Sequence, residues 1–123
     1  DVTPLIPEGR QIIQSYGAGG FKVSGGKYQT GLIVTPEKTT SWVNKSADEL
    51  SMDDFKILIS NSSQYDVFLL GTGQISAFPP KELLQQLRKE NVKPDIMDTG
   101  AACRTYNVLM AEGRRVAALL LPL

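Results

Sequence analysis

Two short segments contain residue types that could bind a ligand, and each follows a predicted strand. The sequence Gly-Thr-Gly at 71–73 comes directly after the apolar run 66–70, and Asp-Thr-Gly at 98–100 follows the short run 95–97. Glycines at a strand end let the backbone turn sharply and approach a ligand closely. They are also typical of a tight turn that binds nothing, so both interpretations stay open. A dinucleotide site is not indicated, because a third glycine, an immediate helix and a Walker-type lysine are missing.

Arg104 is the cation that stands closest to the second segment. It lies near the start of a predicted helix, where a positive charge opposes the helix dipole at a cost of roughly a few tenths of a kcal/mol. Its guanidinium could hold a carboxylate or phosphate, or it could pair with Asp98 or a backbone carbonyl as an internal anchor. Either Asp98 or Thr99 could accept a backbone N–H as the cap of the same helix.

The composition removes most catalytic chemistries. The chain has 123 residues, with 13 basic and 13 acidic side chains, no histidine and one cysteine. Without histidine, this chain cannot supply a Ser-His-Asp or Cys-His catalytic group or a His-ligated metal site. The single cysteine, Cys103, cannot form an intrachain disulfide, and we interpret it as a packed core residue rather than an activated thiolate. We therefore predict no enzyme, no catalytic residue, no metal and no cofactor.

The net charge and the apolar runs also limit the partners. A formal net charge of zero argues against a nucleic-acid binder, because affinity for phosphate comes from clustered Lys and Arg. No apolar run approaches the roughly 18 residues of a membrane span. One free thiol fits a reducing compartment, so we predict a cytoplasmic protein, as a monomer or homodimer. Trp42 could anchor its loop or contact a partner.

The N-terminal third of the sequence predicts a loose arm over residues 1–10 and then a β-hairpin. The hairpin strands are 21–24 and 28–35, joined at Gly25-Gly26, because both central positions of such a turn need a positive φ. We expect this hairpin to extend or cap the main sheet in antiparallel fashion.

The rest of the chain predicts alternating helices and strands. A Ser-x-x-Asp capping signal at 51–54 predicts a helix that ends near residue 62. Strands are predicted at 66–70, 95–97 and 115–121, and helices at 81–89 and 100–112. This βαβαβ order predicts the α/β class, with one three-layer domain over residues 11–123 and a mixed sheet.

Several of these strings resemble one known family. They are the run Leu69–Gly73, the double proline at 79–80 and the run Met97–Asn107. The chain resembles the family labelled domain of unknown function 498, which includes the mitochondrial complex I assembly factor 3, and it looks like a bacterial member. The resemblance covers nearly the whole chain. It implies a three-layer α/β fold with a mixed sheet, no established enzymatic activity, and action through protein contacts.

The resemblance also supplies a set of candidate residues. They form a family-typical cluster without an assigned role: Gly71, Thr72, Gly73, Asp98, Thr99, Arg104, Tyr106 and Asn107.

Two functional hypotheses follow. The first is a non-catalytic protein-interaction or assembly module, acting in respiratory complex assembly by resemblance, with an exposed apolar patch near Trp42 or the N-terminal arm. The second is a small-molecule or anion-binding domain, with its site at the sheet edge where residues 71–73 and 98–104 converge.

Overall fold

A computed structural model describes residues 9–123. The first eight residues of the expected N-terminal arm lie outside the described residues. The division into an arm over 1–10 and one domain over 11–123 stays a prediction.

The first three strands form a small antiparallel sheet of their own. These strands are β1 (Ile13–Gly17), β2 (Gly20–Val23) and β3 (Gly26–Tyr28), paired in that order. The turn between β2 and β3 lies at Ser24-Gly25, one residue earlier than predicted, with φ of 45° and 88°. Among residues 9–123 the small sheet shares no strand pairing with the main sheet, so β2 and β3 do not extend it. Residues 32–34 of the predicted second strand do join the main sheet, in antiparallel fashion as expected.

The predicted strand 28–35 is divided between the two sheets at Gly31. The Gly31 N–H donates to the Asn44 side chain at 2.9 Å, and its carbonyl accepts from the Trp42 N–H at 2.7 Å. A Cβ at position 31 would collide with the Val43 carbonyl oxygen, so only glycine fits. The chain leaves the small sheet at this point and enters the main sheet.

Within residues 9–123, the main sheet has five strands. They are β4 (Leu32–Val34), β5 (Thr39–Ser41), β6 (Val67–Gly71), β7 (Asp95–Met97) and β8 (Val116–Leu120), in the order β5-β4-β8-β6-β7. Strand β6 pairs in parallel with β7 and β8, whereas β4 pairs antiparallel with β5 and β8. The α/β class and the mixed sheet are confirmed, and β4 and β5 supply its antiparallel part.

Helices cover both faces of this sheet. Short α1 (Lys56–Ser60) and longer α2 (Lys81–Lys89) pack on one face, while α3 (Thr99–Ala111) and the small sheet pack on the other. The predicted helix after residue 51 is only partly helical: a 3-10 turn at Met52–Phe55 leads into α1, which ends at Ser60. The other predicted helices and strands lie within about two residues of their expected bounds.

Two apolar cores result, because successive strand residues point to opposite faces of the sheet. In β6, Leu69 faces the core beneath α3, whereas Phe68 and Leu70 face the core beneath α1 and α2. In β8, Ala118 and Ala117 divide in the same way. The central strands therefore belong to both cores, and their carboxyl ends meet where the candidate residues lie.

Candidate functional site

Thr72 organises the loop that follows β6. Its Oγ1 donates to the Ile75 carbonyl oxygen at 2.7 Å and accepts from the Ala77 N–H at 3.0 Å. Its backbone N–H donates to the Met97 carbonyl at 2.9 Å. The hydroxyl is thus used to shape residues 72–77 and to tie them to the end of β7.

Thr99 joins the same loop to the end of β8. Its side chain is fully buried, and Oγ1 accepts from the Gly73 N–H and donates to the Leu121 carbonyl, both at 2.8 Å. The Thr99 N–H donates in turn to the Gly73 carbonyl at 2.8 Å. The segments 71–73 and 98–99 therefore converge at one sheet edge, as the strand order predicts.

The glycines at 71 and 73 each have a structural reason. A Cβ on Gly71 would lie 2.8 Å from the Thr99 Cα, so the side chain is excluded by close approach of the backbone of α3. Gly73 has a φ of +101°, a conformation that other residues adopt only with strain. The close packing of α3 explains Gly71 and the tight turn explains Gly73, both without a bound ligand.

Arg104 is anchored to the small sheet. Its Nη1 donates to the Tyr16 hydroxyl at 2.6 Å, and the side chain lies on the surface. Asp98 instead caps α3, because its Oδ1 accepts from the Ala101 N–H at 2.8 Å. Gly100 leaves room for the contact between Arg104 and Tyr16, since a Cβ at position 100 would lie 3.0 Å from the Tyr16 ring. The guanidinium is held by a phenol, a partner that neither sequence interpretation named.

Tyr106 and Asn107 bind the backbone of the N-terminal segment, away from the strand ends. The Tyr106 hydroxyl donates to the Gln11 carbonyl at 2.7 Å, and burial raises the pKa of this phenol. The Asn107 amide donates to the Ile13 carbonyl at 2.8 Å and accepts from the Ile13 N–H at 3.0 Å. The family-typical cluster is therefore two groups, one at the strand ends and one that holds the small sheet on α3.

The two remaining sequence candidates, Cys103 and Trp42, have structural roles. Cys103 is buried, and desolvation raises the pKa of its thiol to about 12, which keeps it protonated. Trp42 is half-buried; its indole N–H donates to the Asp54 carbonyl at 2.7 Å, and its ring meets Phe55 edge-on with centroids 5.6 Å apart. Trp42 thus anchors its loop.

The buried polar side chains of residues 9–123 are used within the fold. Across this range, every buried side-chain nitrogen and oxygen has a hydrogen-bond partner. The same residues contain no group of three or more Asp, Glu, Cys or His side chains that could hold a metal ion. Among the described helices, none is long and apolar enough to cross a bilayer.

Sequence reasoning missed two exposed apolar side chains on the loop after β6. Ile75 is 72% exposed and Phe78 is 74% exposed. The sequence does contain a signal for a restrained loop here. Phe78 directly precedes Pro79-Pro80, and these prolines restrict the backbone before α2. The Thr72 hydroxyl fixes the other end of this loop, so Ile75 and Phe78 are displayed on an ordered segment.

These features define a three-layer α/β protein whose strand-end polar residues hold a loop in place. Its sequence matches the family described as protein of unknown function (DUF498/DUF598) over residues 13–121, and the chain belongs to that family.

Relatives with this sequence pattern occur in bacteria and animals. An uncharacterized protein of Rhodobacter capsulatus is 37% identical over 90% of this chain and 84% of its own length. The NADH dehydrogenase [ubiquinone] 1 alpha subcomplex assembly factor 3 of Danio rerio is 31% identical over 90% of this chain, which spans 64% of that factor's length. A crystal structure described as an outer membrane protein of Bartonella henselae has a TM-score of 0.83 and 36% identity, covering 93% of this chain and 96% of that one.

Proposed function

We propose that this protein is a non-catalytic interaction module that binds another protein through the loop after β6. The observation that carries the proposal is the exposure of Ile75 and Phe78 on a loop held by Thr72. Two large apolar side chains on a restrained segment can enter a partner's pocket at a low cost in conformational entropy. We place the interaction patch on this loop rather than near Trp42, which is half-buried and anchors its own loop. The alternative position, the N-terminal arm, lies mostly outside the described residues. We name the loop after β6 the Ile75–Phe78 loop.

The use of the polar residues supports a non-enzymatic role. A catalytic residue needs a polar group that can reach substrate, with a pKa near the working pH. Thr72 and Thr99 instead use their hydroxyls within the fold, and the Cys103 thiol is protonated at neutral pH. These observations support a role in protein contact rather than in catalysis.

The relatives suggest what the contact serves. The Danio rerio protein is named as an assembly factor of NADH dehydrogenase, and we propose that this chain likewise takes part in assembling a respiratory complex. This chain spans less than two thirds of that factor's length, and the part in assembly is a proposal for the region that the two proteins share. The cytoplasmic location and the monomeric or homodimeric state stay predictions.

Affinity capture from the native organism tests this function. We expect the wild-type chain to recover a specific partner and the double variant Ile75→Ser/Phe78→Ser to lose it, with an unchanged circular dichroism spectrum. Val108→Ser is the matched control, because Val108 is 57% exposed on α3 and lies outside the loop. Equal recovery by the double variant and the wild type would contradict the proposal.

A second candidate function is anion binding by Lys22 and Lys27 on the small sheet. A cleft of about 400 Å³ on that sheet is lined by Tyr16, Lys22 and Lys27, among others. Lys22 and Lys27 stand directly opposite each other on β2 and β3, where like charges repel unless an anion lies between them. Titration with inorganic phosphate should shift the Lys22 and Lys27 amide resonances, and unchanged spectra would reject this function.

A further inference from the structure

An apolar groove lies beside the Ile75–Phe78 loop, between α2 and β7. Its volume is about 250 Å³; Leu84, Val92 and Ile96 line it together with the exposed ring of Phe78. Leu84 belongs to α2 and Ile96 to β7, so the groove runs along the side of the sheet where the strand order ends. It is thus continuous with the surface proposed above to bind a partner.

The open side of β7 offers backbone groups to a further strand. Strand β7 pairs only with β6 among the described residues, and the Met97 carbonyl points to β6, where it accepts from Thr72. Backbone groups of successive strand residues point in opposite directions, so the Ile96 N–H and C=O point away from β6. A chain in extended conformation can therefore pair with Ile96 while one of its side chains enters the groove.

The charges around the groove favour an acidic partner. Arg88 and Lys93 line it, and neither forms an ion pair with any described residue. Among residues 9–123, no carboxylate lines the groove. Asp95 precedes Ile96 on β7 and so points to the opposite face of the sheet, since Ile96 packs with the core beneath α2.

We infer that this groove binds an extended acidic segment of another protein, which adds as a strand beside β7. An apolar side chain of that segment packs against Phe78 and Leu84, and its carboxylates pair with Arg88 and Lys93. The inference rests on the proposed interaction function and adds the class of partner and the geometry of binding.

Selection of a displayed library of short random peptides on the full chain tests this inference. We expect enrichment of peptides that alternate apolar and acidic residues. Binding should weaken about tenfold or more for Arg88→Glu/Lys93→Glu. The matched control is Lys56→Glu/Arg114→Glu, which makes the same change in net charge at two exposed residues outside the groove and should bind like the wild type. Enriched peptides should also slow hydrogen exchange of the Ile96 amide.

Three results would overturn the inference. They are enrichment without acidic bias, equal binding by both charge-reversal variants, and a dimer in sedimentation that Arg88→Glu/Lys93→Glu dissociates, since a second copy would then occupy the groove. Native capture separates the two proposals. If Arg88→Glu/Lys93→Glu retains the partner and Ile75→Ser/Phe78→Ser loses it, the interaction function stands and the groove assignment falls.

Discussion

At the scale of single residues, the Thr99 hydroxyl contributes two buried hydrogen bonds that join the ends of β6 and β8. We expect Thr99→Val to leave the Gly73 N–H and the Leu121 carbonyl without this partner, and to lower the free energy of unfolding by about 2–3 kcal/mol. Thr99→Ser keeps the hydroxyl and should lose less. Urea denaturation measures both, and a valine variant as stable as the serine variant would show that the hydroxyl is not structural.

The buried thiol of Cys103 should make the folded protein less stable at alkaline pH. Burial raises the pKa of its thiol from 9.0 to about 12, so the folded state keeps a proton that the unfolded chain releases above pH 9. The stabilising contribution is complete below pH 9 and is lost as the pH rises towards 12, by about 1.4 kcal/mol per pH unit. The stability of the wild type should therefore fall more steeply than that of Cys103→Ala between pH 9 and 11. Parallel curves from urea denaturation would contradict the shifted pKa.

The distance along the chain decides which residue contacts sequence could predict. The Asp98 cap spans three residues, and residue type and spacing are sufficient to propose it. The partner of Arg104 is Tyr16, 88 residues away, and only the docking of the small sheet on α3 brings the two together. Sequence could therefore place Arg104 at the helix start and could not choose between ligand and anchor.

At the scale of elements, Asn107 attaches β1 to α3. Its amide makes two hydrogen bonds with the Ile13 backbone, so Asn107→Ala should remove both and free that edge of the small sheet. We expect a loss of about 1–3 kcal/mol and faster hydrogen exchange at the Ile13 amide. Val108→Ala changes the next residue, whose side chain is exposed, and serves as control. Unchanged exchange at Ile13 in Asn107→Ala would show that packing alone holds the sheet.

Local signals explain which elements sequence could predict. Helix α2 follows a double proline and carries leucines at helical spacing, and β6 is a continuous apolar run, so both were predictable close to their observed bounds. The division of the strand 28–35 was not, because Gly31 breaks it through contacts with Val43 and Asn44, which are distant in sequence. The same contacts separate the small sheet from the main one.

At the scale of the whole molecule, the two cores share their central strands, and this predicts one cooperative unfolding transition. Every residue of β8 is buried, and its side chains alternate between the core beneath α3 and the core beneath α1 and α2. Neither core can open without exposing the strand that completes the other. Residues 11–123 should therefore unfold as one domain.

Trp42 makes this prediction measurable. As the only tryptophan, packed on Phe55, it reports on the core beneath α1 and α2, whereas the far-ultraviolet circular dichroism signal averages over all elements. We expect the two signals to give the same urea midpoint. Leu87→Ala and Met110→Ala remove buried side chains from opposite cores. Each variant should lower the free energy of unfolding by about 2–5 kcal/mol and shift both midpoints together. If Met110→Ala shifted the circular dichroism transition and left the Trp42 transition in place, the cores would be independent, and the two faces of the sheet would have to be treated as separate folding units.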